Sequence, residues 1–498
     1  MNFRRVSLIA LLGWLSFTGQ VVPLLAAPAT NPVVRLHWLG LKQISPDTNA
    51  AHFLNIWKMS ETTALVNQTL TKLARLPAPG NTNTAALLRP LLDDLVTNEF
   101  YLEISGPANS TLNPQPSTLL LAIRLPAART LLWQTNLTAA LPAAEISHSR
   151  DWTLIGLGLG NHPGTPADFA ARIPHRASLS NWLEVDFTPS SLAAIDPAFS
   201  SLITHHSSLS QIHLTAAGDA GNVLTRATLD FAQPLALPPS PWDIPTNYIH
   251  QPLTSFTAVR GIAGWLATLP FCQDLHLTNP PDQFFEWAQV QNGGPFVTYF
   301  AAPLPGASNQ VRSLAERLVT AGNPWLATNG QGNFVWLTNA ATLAWHDCFI
   351  IDPFLKAVTV NRQDFVFGGL IPYLEGNPHP APTEVIQFIL HLPNLVYYDT
   401  EQTGTRMDDD FFILQLFRVV FHQSQLPAAA AATHWLKNLE PSLGATTTLG
   451  LQTGPAQLTF KRVSTLGFTA LELHLLGDWL ESPQFPHGLH TLLGPPDQ

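Results

Sequence analysis

Charge is scarce in this sequence. Asp, Glu, Lys and Arg make up 12% of the 498 residues, about half the usual quarter. Disorder needs low hydrophobicity and many charges, whereas 46% of this chain is hydrophobic, so its bulk is globular. Its 24 basic residues are outnumbered by 34 acidic ones, and a net charge of −10 gives no support to nucleic-acid binding. With 2 Cys the chain is no disulfide scaffold, and without Gly periodicity or charged heptads it is neither collagen-like nor a coiled coil.

Standard catalytic phrases are missing as well. No Lys follows a Gly, which removes the phosphate-cradling P-loop, and no His precedes a Glu, which removes the zinc-protease helix. No Ser stands three residues before a Lys, and there is no Gly-x-Ser-x-Gly elbow. Gly156, Gly158 and Gly160 follow a strand-like run, but the third glycine comes too early for a dinucleotide loop, and Asn161-His162-Pro163-Gly164 opens no helix.

What is present begins with an address. Arg4 and Arg5 precede an apolar run from Val6 to Leu25, which ends at the small-residue pair Ala27 and Ala29. Residues 1–29 therefore read as a secretory signal peptide. An uncleaved anchor is the rival, since twenty residues can span a bilayer, but Gly13, Ser16, Gly19, Gln20 and Pro23 make a poor span. The expected location is periplasmic or secreted, with membrane contact only through the signal segment if it is kept. Losing Arg4 and Arg5 from the 24 basic residues leaves 22 against 34 acidic, a net of −12.

Export changes how the cysteines read. Cys272 and Cys348 are candidates for a disulfide, which would close a loop worth about 4 kcal/mol in the chain-entropy model. Two buried thiols are the alternative. A Cys2His2 zinc set of Cys272, His276, His346 and Cys348 lacks the usual spacing.

Proline divides the chain. The densest break, Gln233 to Asn247, removes backbone donors and stops regular structure. The expected organisation is an N-terminal domain over 30–235, a Pro-rich linker at 236–247 with Trp242 exposed, a C-terminal domain over 248–481 and an irregular tail at 482–498. Between the breaks, strand, helix and hairpin recur three times, with Gly218-Asp219-Ala220-Gly221 as one hairpin turn. Val385 to Leu390 is apolar at both parities and reads as a strand covered on both faces. The expected fold class is α+β, with antiparallel sheets built from strand-helix-hairpin units, covering helices and two main domains.

Three phrases carry a resemblance. Phe256 to Leu266 (FTAVRGIAGWL), Val396 to Arg406 (VYYDTEQTGTR) and Leu466 to Leu476 (LGFTALELHLL) resemble phrases of uncharacterised exported bacterial proteins. The resemblance implies export and an envelope setting, and it implies no catalytic residue.

Candidate sites are few. Asp399 to Asp410, DTEQTGTRMDDD, can be written as a twelve-residue calcium loop with Asp399, Glu401, Thr403, Thr405 and Asp410 as oxygen donors and Gly404 at the sharp turn. Against it, a strand leads in, Arg406 replaces an apolar residue and the closing ligand is Asp. The bland alternative places Asp408, Asp409 and Asp410 at the positive end of a helix. Calcium aside, nothing calls for a cofactor. Glu184 and Asp186 share one strand face as an acid/base pair or as a solvated edge. His205, His206 and His213 form the densest imidazole group, as metal ligands or surface histidines.

Two functions fit these features. One is a non-catalytic exported protein that binds an envelope ligand or protein partner through its low-charge surface. The other is an exported hydrolase, directed at glycans or esters, with a dispersed carboxylate site.

Overall fold

Short apolar runs between Gly, Pro and Asn turns fold into antiparallel strands. In the hairpin turn, Ala220 and Gly221 adopt φ 49° and 87°, the pair of positive angles that matches the twist of the flanking strands. The structure, a computed structural model, describes residues 34–78, 80–105, 118–157, 166–173, 181–189, 208–235, 240–267, 279–289, 297–348, 351–373, 379–420, 427–483 and 485–486. Residues 1–29, which the sequence reads as a signal segment, and Cys272, His276, His205 and His206 lie outside them.

The N-terminal half supplies β1 (Val34–Trp38), β2 (Phe100–Ser105), β3 (Thr118–Arg124), β4 (Glu145–Ser149), β5 (Trp152–Leu157), β6 (Leu183–Phe187), β7 (Leu209–Asp219) and β8 (Asn222–Phe231). The C-terminal half supplies β9 (Leu253–Arg260), β10 (Gln283–Gln289), β11 (Thr298–Pro303), β12 (Asn333–Leu337), β13 (Thr342–His346), β14 (Phe354–Val360), β15 (Gln363–Gly369), β16 (Leu395–Gln402), β17 (Ala445–Gly454) and β18 (Gln457–Ser464). All pairings are antiparallel, and they join the 18 strands into one sheet.

The order across this sheet is a duplication. From its centre outward the N-terminal half runs β8-β7-β6-β1-β2-β3-β5-β4. The C-terminal half runs β18-β17-β16-β9-β10-β11-β15-β14, and then adds the hairpin β13-β12. Strand for strand, the second series repeats the first. The halves meet where β8 pairs with β18, with Arg226 opposite Lys461. One register row crosses the junction, from Tyr101 through His37, Glu184 and Thr215 to Arg226, then through Lys461, Leu449, Tyr398 and Ala258 to Phe285. Instead of the threefold recurrence suggested by hairpin spacing, the sheet has a twofold plan with one inserted hairpin.

Helices cover the sheet in matching places. In the N-terminal half, α1 (Ser60–Arg75), α2 (Thr82–Thr97) and α3 (Ala127–Ala140) lie on one face, and α4 (Pro166–Arg172) lies on the other. Leu88, Leu91, Trp133 and Leu137 pack on Leu121, Ile123 and Ile155, while Phe169 packs on Leu120, Ala122 and Leu154. In the C-terminal half, α5 (Ala307–Arg317) and α6 (Thr383–Leu390) occupy the chain positions of α3 and α4. Then come α7 (Thr403–Val420), α8 (Ala431–Leu439) and α9 (Ala470–Glu481). Among the described residues no helix is long and apolar enough to cross a membrane.

Two expectations change here. Val385–Leu390 is helical, because Ile386 and Ile389, three residues apart, are buried together while Phe388 and Leu390 face outward. Trp242 is buried, not exposed: Trp242 and Ile244 join Phe256, Phe285, Trp287, Tyr299 and Phe367 in the largest core cluster. The described part of the Pro-rich stretch is an extended strap over β9 and β10, held where Gln283 bonds the Pro241 carbonyl at 2.6 Å. The Arg260 guanidinium lies 4.5 Å from the Trp242 ring centroid. Burying side chains of this size contributes about 1.5–3 kcal/mol each.

The two halves also share a helical layer. Ile56 and Leu65 from the N-terminal half pack with Met407, Trp435, Leu436, Leu439 and Leu473 from the C-terminal half. Trp435 donates from Nε1 to Thr62 Oγ1 at 3.1 Å, so this contact has a polar anchor as well.

Candidate functional site

The buried face of the C-terminal half has an unusual composition. Reading across five neighbouring strands, Glu286 on β10 stands opposite Thr257 on β9, Thr257 opposite Asp399 on β16, Asp399 opposite Thr448 on β17, and Thr448 opposite Arg462 on β18. Side chains on one sheet face repeat every second residue. Glu401, two residues beyond Asp399, therefore lies on the same face, opposite Ser255 and Thr446. Helices α7 and α9 close over this polar row.

No loop separates β16 from α7. Asp399 to Gln402 complete the strand, and Thr403 begins the helix. The twelve-residue calcium loop is therefore not formed as a loop. Asp399, Glu401, Thr403, Arg406 and Asp410 are buried, while Thr405 faces outward. Arg406 takes the place expected of an incoming cation, with Nη2 donating to Asp410 Oδ1 at 2.5 Å and Nη1 to Asp409 Oδ2 at 3.3 Å. Among the described residues no three His, Cys, Asp or Glu side chains form a metal-holding group.

The remaining contacts lock both helices to the row. Thr403 Oγ1 lies 2.6 Å from Thr446 Oγ1. The Ala470 N–H, at the start of α9, donates to Glu401 Oε1 at 2.8 Å. Thr469 and Glu472 form a capping box there, which fixes the start of α9 at Ala470. Glu472 also accepts two bonds from Arg462, at 2.5 and 3.0 Å. Behind it, the His474 imidazole, its pKa lowered by burial, donates to the Met407 carbonyl at 2.8 Å, and Arg418 pairs with Asp478.

Negative charge is in excess in this layer. Glu286, Asp399, Glu401, Asp409, Asp410 and Glu472 share it with the guanidinium groups of Arg406 and Arg462. Burial pushes Glu286 up to about 7, with Arg406 opposing the shift and Asp410 and Asp399 adding to it. Burial likewise raises Asp399, against the Thr257 hydrogen bond and the Arg462 charge. Glu401 is raised by burial, and the Asp399 and Asp410 charges add to that.

Two groups in the row lack a partner. Asp399 Oδ1 accepts from Thr257 Oγ1 at 2.6 Å, but its Oδ2 is buried with no hydrogen-bond partner among the described residues. Glu286 makes no hydrogen bond or ion pair among them and keeps part of its surface open. Between β1 and β2 the chain builds α1 and α2 over the sheet. In the matching link of the C-terminal half, 261–282, the described residues form only the short helix Ala263–Leu266. Beyond Glu286 the row continues to Phe300, which lies over Gly368, where an added Cβ would come within 2.5 Å of the ring.

The other sequence candidates are dispersed. Glu184 and Asp186 share a strand face, but each has its own imidazole: Glu184 is 3.7 Å from His37, and Asp186 is 2.6 Å from His213. His37 also contacts the fully buried Glu99, which receives Arg124 at 3.0 Å. Cys348 is a buried free thiol, and burial, with Asp352 nearby, pushes it up to about 12. Sequence spacing missed Glu286, Thr257 and Arg462, which come from separate strands. The three phrases quoted earlier supply Thr257, Asp399, Glu401, Arg406 and Glu472, so they converge on this row. No family model, no curated protein and no solved structure matches the chain, so the row is interpreted from its own geometry.

Proposed function

We propose that this is an exported envelope protein that binds a small ligand at the Glu286–Asp399 end of the polar row without transforming it. The carrying observation is that Asp399 Oδ2 and Glu286, two strands apart in one row with Thr257 between them, have no hydrogen-bond partner among the described residues, in a layer with more carboxylates than guanidinium groups. A buried acceptor without a donor costs about 1–3 kcal/mol, and a ligand that donates hydrogen bonds removes that cost. The fitting class carries ammonium or several hydroxyl donors, since Arg406 and Arg462 are already engaged by carboxylates. The export signal and the two-unit organisation about 236–247 belong to the same reading.

The test is thermal stabilisation of the mature chain by a panel of primary amines, amino acids and sugars. A stabilising compound is expected to lose at least tenfold in affinity on Asp399→Asn. A panel without stabilising members, or binding indifferent to that change, overturns the reading.

One observation favours the hydrolase alternative. Glu286, pushed up to about 7, and Asp399, two strands away in the same row, are two carboxyl groups from which a general acid and a base could be drawn. Turnover of a polysaccharide, ester or peptide substrate that is abolished by Glu286→Gln would replace binding with catalysis.

A further inference from the structure

The junction between the two halves carries a second, independent feature. Arg226 and Lys461 stand directly opposite each other in the central strand pair. They are counterparts in the duplicated plan, so the local twofold runs between them. Both are exposed, on strands whose neighbouring positions are mostly part-buried. Neither forms an ion pair or side-chain hydrogen bond among the described residues, whereas Arg35, Arg89, Arg124, Arg129, Arg172, Arg406, Arg418 and Arg462 all meet carboxylates.

Like charges placed directly opposite on antiparallel strands destabilise the pair, and their Cβ atoms lie about 4.5–5.5 Å apart. Two cationic heads on such a base can reach one anion together. The nearby acids are engaged: Asp230 accepts from Gln457 at 2.8 Å, Asp186 holds His213, and Glu184 accepts from Asn181 at 2.8 Å. Two residues along the same face, Thr228 stands opposite Thr459. Thr459 donates its hydroxyl to Thr453 at 2.9 Å, because Thr453 donates its own to Gln457 Oε1, so Thr228 is the hydroxyl donor that flanks one side of the pair. On the other side Leu224 faces Val463.

We propose that Arg226 and Lys461 form a binding site for a small soluble oxyanion of the phosphate type, with Thr228 as a flanking donor. Arg offers a planar fork and Lys a point charge, and together they can hold two edges of a tetrahedral oxyanion. The occupant is small because the chain carries a net charge of −10. That overall field opposes a polyanion or an anionic bilayer, while a single oxyanion experiences mainly the local pair.

The experiment titrates the full mature chain with inorganic phosphate by calorimetry at pH 7. It also compares thermal unfolding in sodium phosphate with sodium chloride of equal ionic strength. Saturable heat is expected, with a rise in Tm specific to phosphate. Arg226→Gln and Lys461→Gln are each expected to weaken phosphate at least tenfold, with Asp399→Asn leaving it unchanged. Because both positions are exposed, the variants should fold, and circular dichroism checks that. Three results would overturn the proposal: equal stabilisation by chloride, heats unchanged in the double variant, or capture by phosphatidylglycerol vesicles with no response to free phosphate. Phosphate binding that survives loss of amine or sugar binding in Asp399→Asn separates this site from the polar row.

Discussion

The two halves of the sheet solve the same packing problem with different chemistry. On the face covered by α1 to α3, the N-terminal half carries the cross-strand row Leu102, Leu36, Val185, Leu214 and Ala227. At the corresponding register positions, the C-terminal half carries Glu286, Thr257, Asp399, Thr448 and Arg462. An apolar row is therefore sufficient to seat helices on this sheet. Replacing it with ionisable groups incurs a desolvation cost of several kcal/mol per ion, which geometry must offset. The opposite face reverses the arrangement, with His37 and Glu184 in one half matching Ala258 and Tyr398 in the other. The frames are alike in strand order, and their polar content lies on opposite faces. The N-terminal half thus acts as an internal control, showing which polar residues the fold does not require.

The most severe way to break this comparison is to make one polar position apolar alone. Arg462→Ala installs the residue of its N-terminal counterpart, Ala227, but leaves Glu472 without its two-bond partner. Because the pair keeps about a fifth of its surface in solvent, at 19% and 25%, the expected loss is about 3 kcal/mol, near the lower end for breaking a buried pair. Urea unfolding at pH 7 measures it, and adding Glu472→Gln should recover about half. A loss below about 1 kcal/mol would make the bridge equivalent to a surface pair, and the polar layer would then be less buried than its register implies.

A smaller effect of opposite sign belongs to Glu286. Its folded pKa, about 7, lies above the ordinary 4.5, so the folded state binds this proton more tightly than the unfolded chain. Its contribution is fully present below pH 4.5 and is lost as the pH rises through 7. Glu286→Gln removes that dependence. The variant is expected to match the parent at pH 4.5 and to exceed it by about 2 kcal/mol at pH 8, after allowance for the open part of the side chain. Equal stability at both pH values would place this carboxyl in ordinary solvent and remove it from the candidate site.

How much of this was legible in the sequence follows from the range of each signal. Local signals are legible: the Gly218-Asp219-Ala220-Gly221 turn closes a hairpin where the turn residues place it. The helix at Thr383–Leu390 is not legible, because a short run that is apolar at both parities fits a covered strand as well as a buried helix. The burial of Trp242 is not legible either, because proline stops regular structure without preventing burial, and an extended strap can pack as tightly as a strand. The acidic run at Asp399 was noticeable, but its partners Glu286, Thr257 and Arg462 lie 113, 142 and 63 positions away from it and meet it only through strand register. The duplication was hidden for a related reason, since the halves share strand order while their residue types diverge.

The finest test isolates one hydrogen bond in the row. Thr257 matches Leu36 of the other half, and its hydroxyl is the only donor that Asp399 receives among the described residues. Thr257→Val keeps the branched shape and removes that bond. The bond favours the charged form of Asp399, so its loss should matter more when this group is ionised. The expected cost is about 1 kcal/mol at pH 8 and clearly less at pH 5, where the raised Asp399 retains its proton. A double-mutant cycle with Asp399→Asn, read by chemical unfolding at both pH values, measures the coupling directly. If the two changes add independently at pH 8, Thr257 does not hold the carboxylate. Asp399 would then be held mainly by the Arg462 charge, with Arg406 second, and the ligand site should be sought nearer to β18 than to Glu286.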